Sequence, residues 1–109
     1  MIHKPVDAYV RCFWVGKIQL TNGDFIPIHC SHISNKMVEI ETVQSLPPNT
    51  KVKLELKASH KNESRHIVTL CQTGLDILNE HDKHYIKLHY TRISDEDKTF
   101  IESYVEDHA

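Results

Sequence analysis

The side chains best suited to chemistry gather at a polar turn, His32-Ile33-Ser34-Asn35-Lys36, set between two alternating apolar segments. An imidazole, a hydroxyl, an amide and an ammonium so close together are the donors an anion needs, although their formal charge is small. Short loops held by rigid strands are where ligands are usually met. Nine histidines and three cysteines raise metal binding as a second chemistry. Cys30 and His32, two residues apart in a strand, would share a face. His29 would point the other way, His84 and His89 are opposite in phase, and no Cys-x-x-Cys or His-x-x-x-His occurs. A closed zinc site needs four convergent ligands, so solvent-facing histidines and no metal are expected. Catalysis finds no footing either: there is no nucleophile elbow, no phosphate loop in a chain of three glycines, and no distinctive carboxylate pair. Cys12 and Cys71 sit among apolar neighbours that favour the inert thiol. The expectation is a protein that is not an enzyme and needs no cofactor.

The elements that must position these groups read mainly as β-structure. Ala8 to Val15 leads through Gly16 into Lys17-Ile18-Gln19-Leu20, one long strand or two joined at a glycine bulge. Thr21-Asn22-Gly23-Asp24 predicts a hairpin turn, because Asn-Gly accepts the positive φ that tight turns require. Phe25 to Cys30 and Met37 to Thr42 alternate with period two on either side of the polar turn. Gln44-Ser45-Leu46-Pro47-Pro48-Asn49 is a loop, since consecutive prolines remove backbone donors. Val52, Leu54, Leu56 and Ala58 alternate with Lys51, Lys53, Glu55 and Lys57, an antiparallel strand with one wet face. After the turn at His60 to Ser64, Arg65 to Thr73 forms another strand, with Gly74 expected to break it and Asp76 to Leu78 as its continuation. His84 to Tyr90 is the last strand. Ser94 stands as N-cap to a helix over residues 94–107, with Asp95, Glu96 and Asp97 in its first turn and Phe100, Ile101, Tyr104 and Val105 as its apolar stripe. Five or six strands and one amphipathic helix describe a small antiparallel barrel or sandwich whose helix covers an opening or an edge.

Length and charge bound the rest. The 109 residues suit one domain, 1–109, with residues 1–10 as an amino-terminal arm. Thirteen basic against fifteen acidic residues give no basic footprint for a nucleic acid or an anionic membrane. No apolar h-region or membrane-length apolar run occurs, which predicts a soluble, cytoplasmic protein without membrane insertion. The odd cysteines Cys12, Cys30 and Cys71 are expected as buried, reduced thiols.

In this order of elements the chain resembles the PilZ domain family from about Lys17 to Asp107. The family pattern Asp/Asn-x-Ser-x-x-Gly, an apolar strand and a leucine-proline loop is matched by His32-Ile33-Ser34-Asn35-Lys36-Met37, Val38-Glu39-Ile40 and Leu46-Pro47-Pro48. The resemblance implies a six-stranded antiparallel barrel with a carboxy-terminal helix, and a bacterial receptor for cyclic di-GMP or a regulatory adaptor of type IV pilus or flagellar motility. Of the three turn-motif residues only Ser34 survives. The family's Arg-x-x-x-Arg, whose guanidinium groups can fork onto phosphates, is reduced to Arg11, with Asp7 and Val15 at the flanking positions. A doubly anionic dinucleotide needs charge-assisted donors in place of its hydration. A degenerate PilZ-like adaptor with weak or no cyclic di-GMP binding is therefore expected, the alternative being a receptor using a nonstandard site at Arg11, His32 and Ser34.

Cys12-Phe13-Trp14-Val15 puts four apolar side chains in a row where a one-faced strand needs every second one. Two readings stand side by side: a strand buried on both faces, or an interface for a protein partner or a second copy, anchored by Phe13, Trp14 and Val15, since aromatic residues concentrate at hot spots.

Overall fold

In the computed structural model, which describes residues 9–79 and 81–109, seven strands precede one helix. They are β1 (Val10–Arg11), β2 (Val15–Gln19), β3 (Phe25–Ile33), β4 (Met37–Thr42), β5 (Lys51–His60), β6 (Glu63–Leu78), β7 (His84–Arg92) and α1 (Asp95–His108). All pairings are antiparallel, in the order β3-β2-β5-β6-β7-β4, and β4 returns to β3 to close a six-stranded barrel. The extra strand β1 lies on the far end of β3. Residues 1–8 of the expected arm lie outside the described residues.

Local chemistry sets the corners. At the β2–β3 turn, Gly23 takes φ +95°, its N–H donates to the Leu20 carbonyl (2.9 Å), and the Asn22 side chain accepts from the Asp24 N–H (2.9 Å). The β5–β6 hairpin turns on Lys61 and Asn62, both at positive φ, between the paired His60 and Glu63. That geometry matches strand twist. Inward-facing Val52, Leu54, Leu56 and Ala58 of β5 join Ile26, Ile28, Val38, Ile40, Ile67, Ile86 and Leu88 inside the barrel. The α1 residues Phe100, Ile101, Tyr104 and Val105 close one opening together with Trp14.

The helix is fixed at both ends by β5 and β6. Ser94 Oγ accepts from the Asp97 N–H (3.1 Å), and Arg65 Nε donates to Asp97 Oδ1 (2.7 Å). At the other end His60 Nε2 meets Asp107 Oδ2 at 2.8 Å and Lys61 Nζ meets it at 3.0 Å.

Several sequence expectations need correction. The polar turn is shorter than His32 to Lys36, because His32 and Ile33 still belong to β3. Gly16 forms no bulge: it is regularly paired with Ile28 and Leu56, and the strand break lies at 12–14. Its real constraint is close approach, since a Cβ there would overlap the Glu55 carbonyl oxygen. Gly74 does not end β6; the strand continues to Leu78, with the register against β7 slipping between Thr73 and Asp76. Cys30 and His32 do not share a face, because a bulge between them leaves Ser31 unpaired and turns Cys30 inward and His32 outward.

Candidate functional site

The amino-terminal approach runs along the bulged end of β3. Val10 pairs with Ile33 and Arg11 with His32, and beyond β1 the Cys12 N–H donates to the Ser31 carbonyl (3.0 Å) while the Cys30 N–H donates to the Trp14 carbonyl (2.8 Å). The run Val10 to Val15 alternates in burial throughout: Val10, Cys12 and Trp14 face the core, whereas Arg11, Phe13 and Val15 face solvent. The apolar quartet therefore splits. Trp14, 6% exposed, packs on Tyr104 and Phe100 at ring-centroid distances of 4.6 and 6.0 Å, and its Nε1–H donates to the Ser59 carbonyl at 3.0 Å. Phe13 is 74% and Val15 44% exposed.

Between this segment and the outer faces of β3, β4 and β7 lies a crevice of about 430 Å3, lined by Arg11, Phe13, His29, Glu39, Glu41 and Tyr85 among others. Arg11 and His32 meet there as registered neighbours. The Arg11 guanidinium carbon lies 5.3 Å from the Phe13 ring centroid, and the Arg11 carbonyl accepts from Tyr104 Oη at 2.9 Å. Tyr9 stacks on the His32 ring at 5.3 Å, and burial followed by the Glu39 charge pushes its phenol well above the usual range. Glu39 Oε1 accepts from Ser31 Oγ (2.8 Å) and lies 3.4 Å from His32 Nδ1. Burial alone would raise Glu41, yet Lys83, 3.2 Å away, and Tyr85 hold its carboxyl below the usual range. Glu41 is thus an ionised carboxylate facing the crevice at neutral pH, with the Glu39 side chain beside it in the lining.

Ser34 lies outside that lining. It is 4% exposed, and its Oγ accepts from the Lys36 and Met37 N–H groups at 3.2 Å each, capping its own turn. Its carbonyl accepts from Tyr90 Oη (3.2 Å). Met37 occupies the family's glycine position without strain, being an ordinary extended residue of β4. Of Arg11, His32 and Ser34, the structure brings the first two together and turns the hydroxyl of the third inward. Glu39, Glu41 and Tyr85 were not singled out from the sequence; the signal for the two carboxylates was the outward phase of Met37-Val38-Glu39-Ile40-Glu41 beside the turn, and Tyr85 joins them through its pairing with Glu41.

The cysteines Cys12, Cys30 and Cys71 are free and buried. Burial pushes the Cys71 thiol up to about 12 and Cys30 well above its usual value, while Cys12, 0% exposed, is lowered by its hydrogen bond to Cys30. Among the described residues no group of His, Cys, Asp and Glu is arranged to hold a metal, and no helix is long and apolar enough to cross a membrane.

No family model and no curated protein matches the sequence. Solved structures do. The inhibitor of motility MotI/DgrA of Bacillus subtilis superposes with a TM-score of 0.75 at 19% identity, over 95% of this chain and 50% of that one. The PilZ domain of YcgR from Escherichia coli, solved with c-di-GMP, superposes with a TM-score of 0.66 at 6% identity, over 93% of this chain and 88% of that one. This chain has a PilZ-like fold. It spans about half the length of the Bacillus protein and nearly the whole YcgR domain. At these identities the PilZ-like likeness is one of backbone, and the side chains of the crevice are this chain's own.

Proposed function

We propose that this PilZ-like chain is a non-enzymatic regulatory adaptor that acts through protein–protein contacts and binds cyclic di-GMP weakly or not at all. The observation that carries the reading is the composition of the crevice. Two carboxylates, Glu39 and Glu41, face it, its lining contains one guanidinium, which rests against Phe13, and the Ser34 hydroxyl is used within its own turn. Like charges at close range oppose a dianionic ligand, and a single cation cannot replace the hydration of two phosphates. The exposed Arg11, Phe13 and Val15 row beside the crevice suits a protein contact, with Phe13 as anchor. Likeness to an inhibitor of motility supports a motility setting.

A second reading keeps cyclic di-GMP as ligand of a nonstandard site. The Arg11–His32 pairing and the likeness to a domain solved with that dinucleotide favour it. Titration calorimetry of the purified chain separates the two. The adaptor reading expects no heat of binding at low-micromolar dinucleotide and no rise in melting temperature, whereas a ligand that binds only the folded form must stabilise it. Low-micromolar affinity, abolished by Arg11→Ala, would establish the receptor instead.

A further inference from the structure

On the barrel's outer face away from that crevice, strand register aligns Gln19 of β2, Lys53 of β5, Leu70 of β6 and Arg92 of β7 in one transverse row. Side chains opposite one another in such a row stand about 5 Å apart at Cβ. Two shallow depressions of about 470 and 440 Å3 meet over Lys53, Leu70 and Arg92, the first extending to Lys51 and the second to Val68 and Ile93. Together they form an elongated groove. Its floor is apolar, with Leu70 45% and Val68 39% exposed. Its cations Lys51, Lys53 and Arg92 form no ion pair among the described residues. Of the other cations, Lys17, Lys61, Arg65 and Lys83 each face a carboxylate, while Arg11, Lys36, Lys57, Lys87 and Lys98 likewise form no ion pair among the described residues, so the groove is set apart by three such cations gathered around an apolar floor. The neighbouring carboxylate on β5, Glu55, is engaged by Lys17 at 3.5 Å and His66 at 3.9 Å.

We infer that this groove is a docking surface for an acidic, partly apolar segment of a protein partner. Three unpaired cations around an apolar floor complement a segment that alternates carboxylates with aliphatic side chains. A nucleic acid would require a much longer cationic track, and a free phosphate would gain nothing from Leu70 and Val68. The inference rests on the adaptor reading and adds to it a second contact surface and the chemistry of what it takes.

Amide chemical-shift mapping on the full chain tests it with defined probes: a short synthetic peptide alternating glutamate and leucine, its lysine-leucine counterpart, inorganic phosphate, and phosphatidylglycerol vesicles. The acidic peptide is expected to shift the amides of Lys53, Leu70 and Arg92. Its affinity should fall about tenfold in the double variant Lys53→Glu/Arg92→Glu, as expected for reversing two exposed charge contacts, and weaken as salt rises. Phe13→Ala should leave it unchanged. Both substituted cations are exposed, so circular dichroism should show a folded double variant, and Lys53→Gln/Arg92→Gln serves if reversal perturbs the fold. Equal binding of the basic peptide, no shift in the groove, or tighter binding of phosphate or vesicles there overturns the inference. Loss of groove binding with intact, Phe13-dependent partner capture would leave the adaptor reading standing, whereas tight dinucleotide binding would remove that reading itself.

Discussion

Replacing Trp14 and Phe13 by alanine in turn should separate two neighbours that composition alone makes alike. Trp14 keeps 6% of its surface exposed. Taking a tryptophan side chain as roughly 200 Å2 and about 25 cal/mol per Å2, its burial contributes at most about 5 kcal/mol. Alanine retains part of that burial but leaves a cavity beneath Phe100 and Tyr104, so the expected loss is about 3–5 kcal/mol. The hydrogen bond from Nε1 adds little, because Ser59 is exposed and water can replace the donor to its carbonyl. A loss of that size lowers the melting temperature by roughly 15–25 °C at this chain length. Phe13 is 74% exposed and touches chiefly the Arg11 guanidinium, an exposed cation–π contact of about 0.5–1 kcal/mol. Its truncation should therefore cost under about 1 kcal/mol while weakening partner capture. Urea unfolding followed by far-ultraviolet circular dichroism reads both as shifts in midpoint at constant slope, with Trp14→Phe as a milder variant if Trp14→Ala does not fold. Equal losses for the two alanine variants, or a Trp14→Ala loss below about 1.5 kcal/mol, would refute the division into an inward and an outward face.

Two further outcomes follow from single contacts. Gly16→Ala should prevent folding or cost several kcal/mol, since the added Cβ meets backbone rather than a flexible side chain; an unchanged urea midpoint would show that β2 and β5 are not so closely apposed. Burial pushes the Asp76 carboxyl up, but His84 Nδ1 (2.7 Å), Ser45 Oγ (2.8 Å) and the Leu46 N–H (3.2 Å) hold it below the usual range. Because its native value is the lower one, its stabilisation is present above the unfolded value near pH ~3.9 and disappears as pH falls through the native value. Asp76→Asn should accordingly flatten the acid side of the stability profile, only in part because Glu41 and Asp107 are lowered too, and a profile identical to that of the parent chain would contradict the role given to Asp76.

Much of the barrel was legible locally. Alternation in β5, the Asn22-Gly23 turn, the Ser94 cap and the Phe100-Ile101-Tyr104-Val105 stripe each depend on neighbours within a few residues, so periodicity and turn chemistry suffice. The missing arginine pair and the surviving Ser34 were equally visible, because a motif is a statement about spacing. Other features depend on strands distant in sequence. Whether Gly16 marks a bulge or a close contact depends on where Glu55 lies. The phase of His32 depends on a bulge that exists only when β3 is set against β4. Strand register also decided that Glu39 and Glu41 face the crevice, that Trp14 turns inward while Phe13 turns outward, and that Lys53 and Arg92 flank Leu70. An isolated strand can present either face to solvent; barrel closure assigns one of them to the core, and only then does the other become a surface with a chemistry of its own.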